Sequence, residues 1–274
     1  MSGFLDDMAR SSAARVARAA VHESITALER RARQAPRAAP LRLAPGFDVI
    51  AELKLRSPAV GRLGDRSDDW LGQVAAYARG GAAAVSVLTE PTRFDGSLEH
   101  LRQAAEVLAA LGVPAMRKDF LVDPYQVLEA RAAGAGGVLV ILRMLPRQRI
   151  IELLEVASEH RLFVLLEAFD AADLELARDL LGSRGESREP VLVGVNSRDL
   201  QTLQVVPERC AALAPLLPAG HCAVAESGVT SAADAQRMMQ HGYRLALIGT
   251  ALMTCEDPSQ LLREIFKATR TVTA

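Results

Sequence analysis

Five ionisable side chains give the first indication of chemistry in this sequence: Glu52, Lys54, Lys118, Glu167 and Glu226. Each stands at the end of a short apolar run, in Ala51-Glu52-Leu53-Lys54, Arg117-Lys118-Asp119-Phe120, Leu165-Leu166-Glu167 and Glu226-Ser227-Gly228. Side chains alternate between the two faces of a strand, so Glu52 and Lys54 point the same way. Glutamates and lysines sharing one pocket shift each other's pKa values and can supply both a proton donor and an acceptor. The lysines are informative because the 32 Lys+Arg residues include only three, Lys54, Lys118 and Lys267. Arginine is always charged, whereas lysine can release a proton and act as a compact acid or base.

Two further runs close on small residues, Glu226-Ser227-Gly228 and Ile248-Gly249-Thr250. Glycine lets the backbone approach an anion, and Ser227 or Thr250 can add a hydroxyl donor, so the pair of loops suits a phosphate group. Phe94 and Phe120 follow the second and third apolar runs, where an aromatic substrate ring could stack on them. The polar stretch Asn196-Ser197-Arg198-Asp199 closes the sixth run. A phosphorylated small molecule is the expected ligand.

The elements that must position these residues recur with a regular rhythm. Apolar runs at Val49–Leu53, Ala84–Leu88, Pro114–Met116, Val138–Leu142, Phe163–Leu166, Val191–Val195, Ala223–Ala225 and Leu245–Ile248 are each followed by a helical pattern. The helical segments, such as Ser97–Leu111, Pro124–Ala133 and Ser231–His241, run into glycine stops at Gly80-Gly81, Gly112, Gly134 and Gly242. Eight such units of roughly 28 residues predict an α/β chain folded as a closed (β/α)8 TIM barrel, with the strand ends as the active face. No GxGxxG follows the first strand, which argues against a dinucleotide-binding sheet. Residues 1–45 differ from the rest, with eight Arg, four acids and a helical spacing of Phe4, Leu5, Met8, Val16, Ile25 and Leu28. They read as a helical extension packed on a barrel of residues 46–274. Trp70 and Tyr77 read as packing residues, and the stretch Leu181–Pro190 as a solvated loop.

Composition excludes several classes. With 32 basic against 33 acidic residues and a net charge of −1, the chain lacks the positive excess of a nucleic-acid-binding protein. No apolar run approaches the roughly 20 residues needed to span a bilayer, and Asp6 and Asp7 interrupt any secretory leader. The three cysteines, Cys210, Cys222 and Cys255, have neither disulfide nor zinc spacing and fit a reducing, cytoplasmic setting. The five histidines (His22, His100, His160, His221 and His241) fall on predicted helices or helix-to-strand loops. No metal constellation is expected.

The motifs AELKLRSP (51–58), SVLTEPTRFDGS (86–97), MRKDFLVDPYQVLEARAAGA (116–135), LLEAF (165–169), VGVNSRDLQTL (193–203), AESGV (225–229) and LIGTALM (247–253) are specific enough to compare with a family. In order and content they resemble indole-3-glycerol-phosphate synthase, the barrel lyase of tryptophan biosynthesis. The resemblance implies closure of the ring of 1-(2-carboxyphenylamino)-1-deoxyribulose 5-phosphate, with loss of CO2 and water and with no cofactor. It implies Lys118 as the acid at the substrate carbonyl and Glu167 as the acid/base of the dehydration. Lys54 would steady the substrate carboxylate with Glu52 polarising its neighbours, and Asn196 and Glu226 would complete the polar wall. By the same resemblance Ser57, Ser227, Gly228, Gly249 and Thr250 hold the phosphate. Phe94, Phe120 and Leu200 enclose the anthranilate ring, and Arg198 stands near the substrate carboxylate. Association with other enzymes of the tryptophan pathway is a further expectation.

Two departures stand out. Ala59-Val60 occupy a stretch where the family usually has Ser and a basic residue, and Thr250 stands where Ser is common. The rival reading as phosphoribosylanthranilate isomerase needs a Cys/Asp pair at strand ends, and only Cys222, at the start of a strand, comes near one. A barrel that binds a phosphorylated ligand without turnover would have no need of the whole Glu52, Lys54, Lys118, Glu167, Asn196 and Glu226 set.

Overall fold

The structure, a computed structural model, describes residues 3–57, 61, 62, 69–182, 189–200 and 202–270. Ala59, Val60 and most of the polar stretch Leu181–Pro190 lie outside the described residues.

Eight strands form the barrel: β1 (Asp48–Leu53), β2 (Ala84–Leu88), β3 (Ala115–Lys118), β4 (Gly137–Ile141), β5 (Phe163–Ala168), β6 (Val191–Asn196), β7 (Ala223–Glu226) and β8 (Leu245–Ile248). Each is parallel to its neighbours in chain order, and β8 returns to pair with β1, so no edge is left open. The strands follow the apolar runs to within about two residues, with β3 the instructive case. Its apolar run stops at Met116, yet the strand continues through Arg117 and Lys118. Arg117 is 1 % exposed and sits on the outer face of the barrel, where Thr89, Gln126, Glu129 and Asp119 take up its donors. A fully paired arginine can occupy a position where hydropathy alone calls for an aliphatic residue.

Two apolar layers follow from the strand alternation. Outward-facing Val49, Ala51, Val85, Val138, Val164, Val193, Ala225 and Ala246 pack under the helices. Inward-facing Ile50, Met116, Leu139, Phe163, Leu165, Leu192, Val224 and Leu245 fill the barrel. The bare α-carbon of Gly137 lies where any Cβ would overlap the Phe163 ring, so the ring occupies that space instead. Further along the same inward face come Glu52, Lys118, Glu167 and Glu226, one step on, and Asn196, two steps beyond Leu192. The apolar plug therefore ends where the polar wall begins.

The longer helices are α1 (Phe4–His22) and α2 (Ile25–Gln34), and around the barrel α3 (Trp70–Arg79), α4 (Leu98–Ala110), α5 (Pro124–Ala132), α6 (Arg147–Glu159), α7 (Ala171–Gly182), α8 (Ala232–Gln240) and α9 (Pro258–Thr269). Side-chain caps start several of them: Ser97 at α4, Asp123 at α5, Ser231 at α8 and Asp257 at α9 each accept a backbone N–H. Tyr77 is buried in α3 and Trp70 meets the His100 ring at 5.2 Å, so both are packing residues.

Helices α1 and α2 precede the barrel and lie against it. Leu28 and Ala32 of α2 pack on Tyr125 and Leu128 of α5, and Arg131 of α5 donates to the carbonyls of Ala35 and Pro36. Ile25 departs from the expected apolar face, because it begins α2 with half of its surface in solvent.

Candidate active site

A cavity of about 290 Å³ opens inside the carboxyl ends of the strands. Its floor is the upper edge of the apolar plug (Leu139, Ile141, Leu247), and its wall is polar. Glu52, Lys54, Lys118, Glu167, Asn196, Arg198 and Glu226 line it together with Phe94, Phe120, Leu200, Ser227, Gly228, Gly249 and Thr250. Of the residues singled out from sequence, Ser57 alone is described only as backbone, paired with Gly61 in a two-stranded ribbon that follows β1.

The charges form two linked groups. Lys54 Nζ lies 3.0 Å from Glu52 Oε1. Across the mouth, Lys118 Nζ lies 3.4 Å from Glu167 Oε1 and 3.8 Å from Glu226 Oε2. All of these groups are withdrawn from water; Lys118 keeps 17 % of its side-chain surface and the two glutamates 3 % or less. Burial alone would push the Lys118 ammonium down, but the Glu167, Glu226 and Glu52 carboxyl groups hold it above the usual lysine value. Burial would push the Glu52 carboxyl up, and here Lys54 and Lys118 outweigh it and hold it below the usual carboxylate range. Glu226 behaves oppositely. Burial and the adjacent Glu167 carboxyl push it well up, and Lys118 offsets them only in part. Neither of its oxygens has a hydrogen-bond partner. The site thus sets side by side a lysine whose protonated form is favoured, a glutamate whose anion is favoured and a glutamic acid whose proton is held more tightly than usual, the range of proton donors and acceptors that stepwise acid–base chemistry uses.

Asn196 ties the wall together. Its Nδ2 donates to Glu167 Oε1 at 2.8 Å, while its Oδ1 accepts from Ser227 Oγ and from the Arg198 backbone N–H, both at 2.9 Å. The Ser227 hydroxyl is therefore turned to the wall, and it is the backbone of Ser227 and Gly228, both at positive φ, that bends around the mouth. Arg198 is fixed in turn by donating to the Leu203 carbonyl at 2.6 Å.

The rim is aromatic. Phe94 and Phe120 face each other at 6.2 Å, and Phe4 meets Phe120 edge-on at 5.8 Å. Sequence spacing marks Phe4 only as one apolar position of a helix; the fold brings the first turn of α1 over the cavity and makes it part of the rim. Ser12, which accepts from Gln126 at 2.8 Å, and a second residue that spacing did not reveal help to hold α1 there. Arg15 donates to both carboxylate oxygens of Asp119, at 2.9 and 2.7 Å. Asp119 also accepts from Thr89 (2.7 Å), Arg117 (3.0 Å) and the Phe120 backbone N–H (2.8 Å). These donors outweigh burial and hold its carboxyl well below the usual range. Asp119 follows Lys118 directly, so this network fixes the strand end that carries the lysine.

Among the described residues, no group of three His, Cys, Asp or Glu side chains is arranged to hold a metal ion, and no helix is long and apolar enough to cross a membrane. Among the described residues, Cys210, Cys222 and Cys255 form no disulfide. Cys222 stands just before β7, at the opposite end of that strand from Glu226, which leaves the Cys/Asp isomerase reading without its cysteine.

In known proteins, the chain is similar throughout to one kind of enzyme. The family model described as indole-3-glycerol phosphate synthase matches residues 5–265. The chain is 42 % identical over 248 residues to the indole-3-glycerol phosphate synthase of Parafrankia sp., covering 89 % of this chain and 88 % of that one. It is 41 % identical over 229 residues to the enzyme of the same name from Methanopyrus kandleri, covering 82 % and 85 %. Solved structures resemble it in fold. Orotidine 5'-phosphate decarboxylase from Pyrococcus horikoshii superposes with a TM-score of 0.60 at 14 % identity over 82 % of this chain and all of that one. A mutant tryptophan synthase alpha-subunit from Pyrococcus furiosus gives 0.54 at 16 % identity over 80 % and 97 %. With an eight-stranded barrel, a Lys–Glu cavity at its mouth and similarity along nearly the whole length, the chain belongs to the indole-3-glycerol phosphate synthase family.

Proposed function

We propose that this cavity converts the carboxyphenylamino-deoxyribulose phosphate substrate into indole-3-glycerol phosphate, CO2 and water, with the following division of labour. The observation that carries the reading is the placement of Lys118 between Glu167 and Glu226 under an aromatic rim. Ring closure needs an acid at the substrate carbonyl, and the Lys118 ammonium is the group held protonated for it. The aromatic ring fits between Phe94, Phe120, Phe4 and Leu200, which keep water from the reacting carbons and strengthen every charge interaction inside. Lys54 and Arg198 hold the substrate carboxylate until it departs as CO2. Positive charge develops beside that carboxylate during closure, and the ionised Glu52 is the fixed anion that meets it. Loss of water then needs a base at the ring proton and a donor at the hydroxyl. Glu167, oriented by Asn196, serves as the acid/base of this step, and Glu226 completes the polar wall beside it. Backbone N–H groups around Gly228 and Gly249, with the Thr250 hydroxyl, receive the phosphate.

Arginine could not take over from Lys118, because its pKa is too high to release a proton readily. Action in the cytoplasm and handover to neighbouring enzymes of the tryptophan pathway belong to the same reading, in keeping with cysteine spacing that suits no disulfide.

The test is direct. Mixing the purified chain with the substrate, without added metal, should give a steady rise in indole fluorescence, and Lys118→Met should abolish it while the phosphorylated ligand still binds. Tight binding with no turnover by the unaltered chain would overturn the reading in favour of a binding barrel.

A further inference from the structure

The catalytic wall rests on two places where a strand or its end lacks a side chain, and one of them has no role in the reading above. Gly194 lies in the middle of β6 on the inward face, two residues before Asn196 and in register with Glu167 on β5 and Val224 on β7. A Cβ at this position would overlap Oε1 of Glu226 and come within 3.1 Å of both its Cδ and the Leu165 Cδ1. The Glu226 carboxyl, reaching across from β7, occupies the volume that any other residue at 194 would fill. Gly249 repeats the arrangement two strands further on, just past β8, where a Cβ would overlap Glu52 Oε1 and lie 3.1 Å from Lys54 Nζ.

The slot explains an otherwise costly feature. A buried carboxyl normally turns to a donor, because an unsatisfied buried polar group is expensive. Nevertheless, neither Glu226 oxygen takes a donor from Asn196 or Ser227, which lie close by and bond each other, and the polar group left beside it is the Glu167 carboxyl. Lying over the bare α-carbon, the carboxyl is kept beside Glu167 and 3.8 Å from Lys118.

We propose that Gly194 is a positioning residue for the reaction: its missing side chain is the slot that holds the Glu226 carboxyl beside Glu167 and Lys118. This rests on Glu226 being part of the working wall, as read above. The slot also accounts for the upward shift of the Glu226 carboxyl, since a carboxyl confined away from water and next to another carboxyl is disfavoured as an anion.

In Gly194→Ala, the cheapest relief of the overlap is a swing of the flexible Glu226 side chain, so the barrel survives while the carboxyl moves by about the width of a methyl group. A displacement of that order in a catalytic group costs about 10²-fold in kcat, with KM changed by less than about threefold because the substrate-gripping residues stay in place. Shortening the displaced acid should repair the damage: in Gly194→Ala/Glu226→Asp the carboxyl withdraws toward β7 and the Cβ fits. The double variant should therefore turn over faster than the product of the two single effects allows, a coupling expected only of groups in direct contact. The pH profile of kcat supplies a second reading, since its Glu226 limb should move to lower pH once the carboxyl leaves the slot.

Indole fluorescence kinetics and thermal melts of the unaltered chain, Gly194→Ala, Glu226→Asp and the double variant decide the matter. Wild-type kcat in Gly194→Ala, or strictly multiplicative effects, overturn the proposal. If Gly194→Ala does not fold but the double variant does, the contact and the proposal stand; if neither folds, Leu165 is what excludes the Cβ, and the proposal fails. Full activity in Glu226→Asp and Glu226→Gln would instead remove Glu226 from the working wall, and the proposal with it.

Discussion

Replacing Arg15 by methionine tests how the N-terminal helix and the catalytic strand end depend on each other. The arginine keeps 18 % of its side-chain surface and donates twice to Asp119, whose own side chain is fully buried. Methionine preserves most of the apolar stem and removes only the guanidinium. Asp119 retains Thr89, Arg117 and the Phe120 N–H, so it is not left bare, and the cost falls short of the 3–5 kcal/mol of a broken buried pair. It exceeds the ~0–1 kcal/mol of a surface pair, because the bonds are charge-assisted and one partner is dry. About 2 kcal/mol is the expected loss, or roughly 3–4 °C in melting temperature for a chain of this size. The pH dependence has a definite sign. The folded Asp119 carboxyl sits below its unfolded value of about 3.9. It therefore stabilises the fold above that pH, and the contribution fades as pH falls through the folded value. Without Arg15 the folded value rises, so acid unfolding should begin at a higher pH. Because α1 also carries Phe4, KM should rise several-fold while kcat changes less. Melts followed by circular dichroism across pH 2–7, with steady-state kinetics at neutral pH, measure all three effects. An unchanged melting temperature together with an unchanged acid transition would refute the reasoning.

Phe4→Ala removes one wall of the ring pocket and should raise KM about 5- to 10-fold, near the worth of one aromatic contact, with kcat within about twofold; an unchanged KM would show that the rim does not touch the substrate. Lys118→Arg keeps a cation between Glu167 and Glu226, so it should melt higher than Lys118→Met yet lose about 10²–10⁴-fold in kcat, since guanidinium cannot give up the proton. At the opposite end of the barrel, Arg270 pairs with the buried Asp48, donates to the Phe47 carbonyl at 3.0 Å and stacks on Phe266. Arg270→Met should cost about 3 kcal/mol of stability and leave kcat unchanged, a separation of fold from chemistry that a single denaturation and rate comparison can check.

The polar wall was legible because two rules convert position along the chain into position in space. Alternation along a strand puts Glu52, Lys118, Glu167 and Glu226 on the same face as the apolar residue two places before each, and Asn196 on the same face as Leu192 four places before it; closure of the barrel makes that face the interior. Neither rule needs to know what lies across the barrel. What stayed hidden depends on neighbours distant in sequence. Arg117 reads as a strand terminator until Asp119, Thr89 and Glu129 are seen to absorb its charge. Phe4 reads as one apolar helical position, because nothing local sets the angle at which α1 crosses the mouth; that angle depends on contacts distant in sequence, among them Arg15 with Asp119, 104 residues away, and Ser12 with Gln126.

Gly194 is the sharpest instance. Within VGVNSRDL a glycine in an apolar strand has many local explanations, among them a bulge or a close approach of another backbone. Here β6 runs without interruption and pairs regularly on both sides, so neither explanation applies. The reason lies on the next strand, in a carboxyl whose oxygens have no donor and whose space a methyl group would take. A residue of this kind contributes to the site by what it lacks, and no list of reactive side chains contains it. Once the Glu226 carboxyl is located, however, the requirement is strict, because the clash falls on the one group that must stay beside Lys118 for the wall to work as read here. The glycine and the glutamate are in that sense a single functional unit divided between two strands, and a change at either should be read through the other.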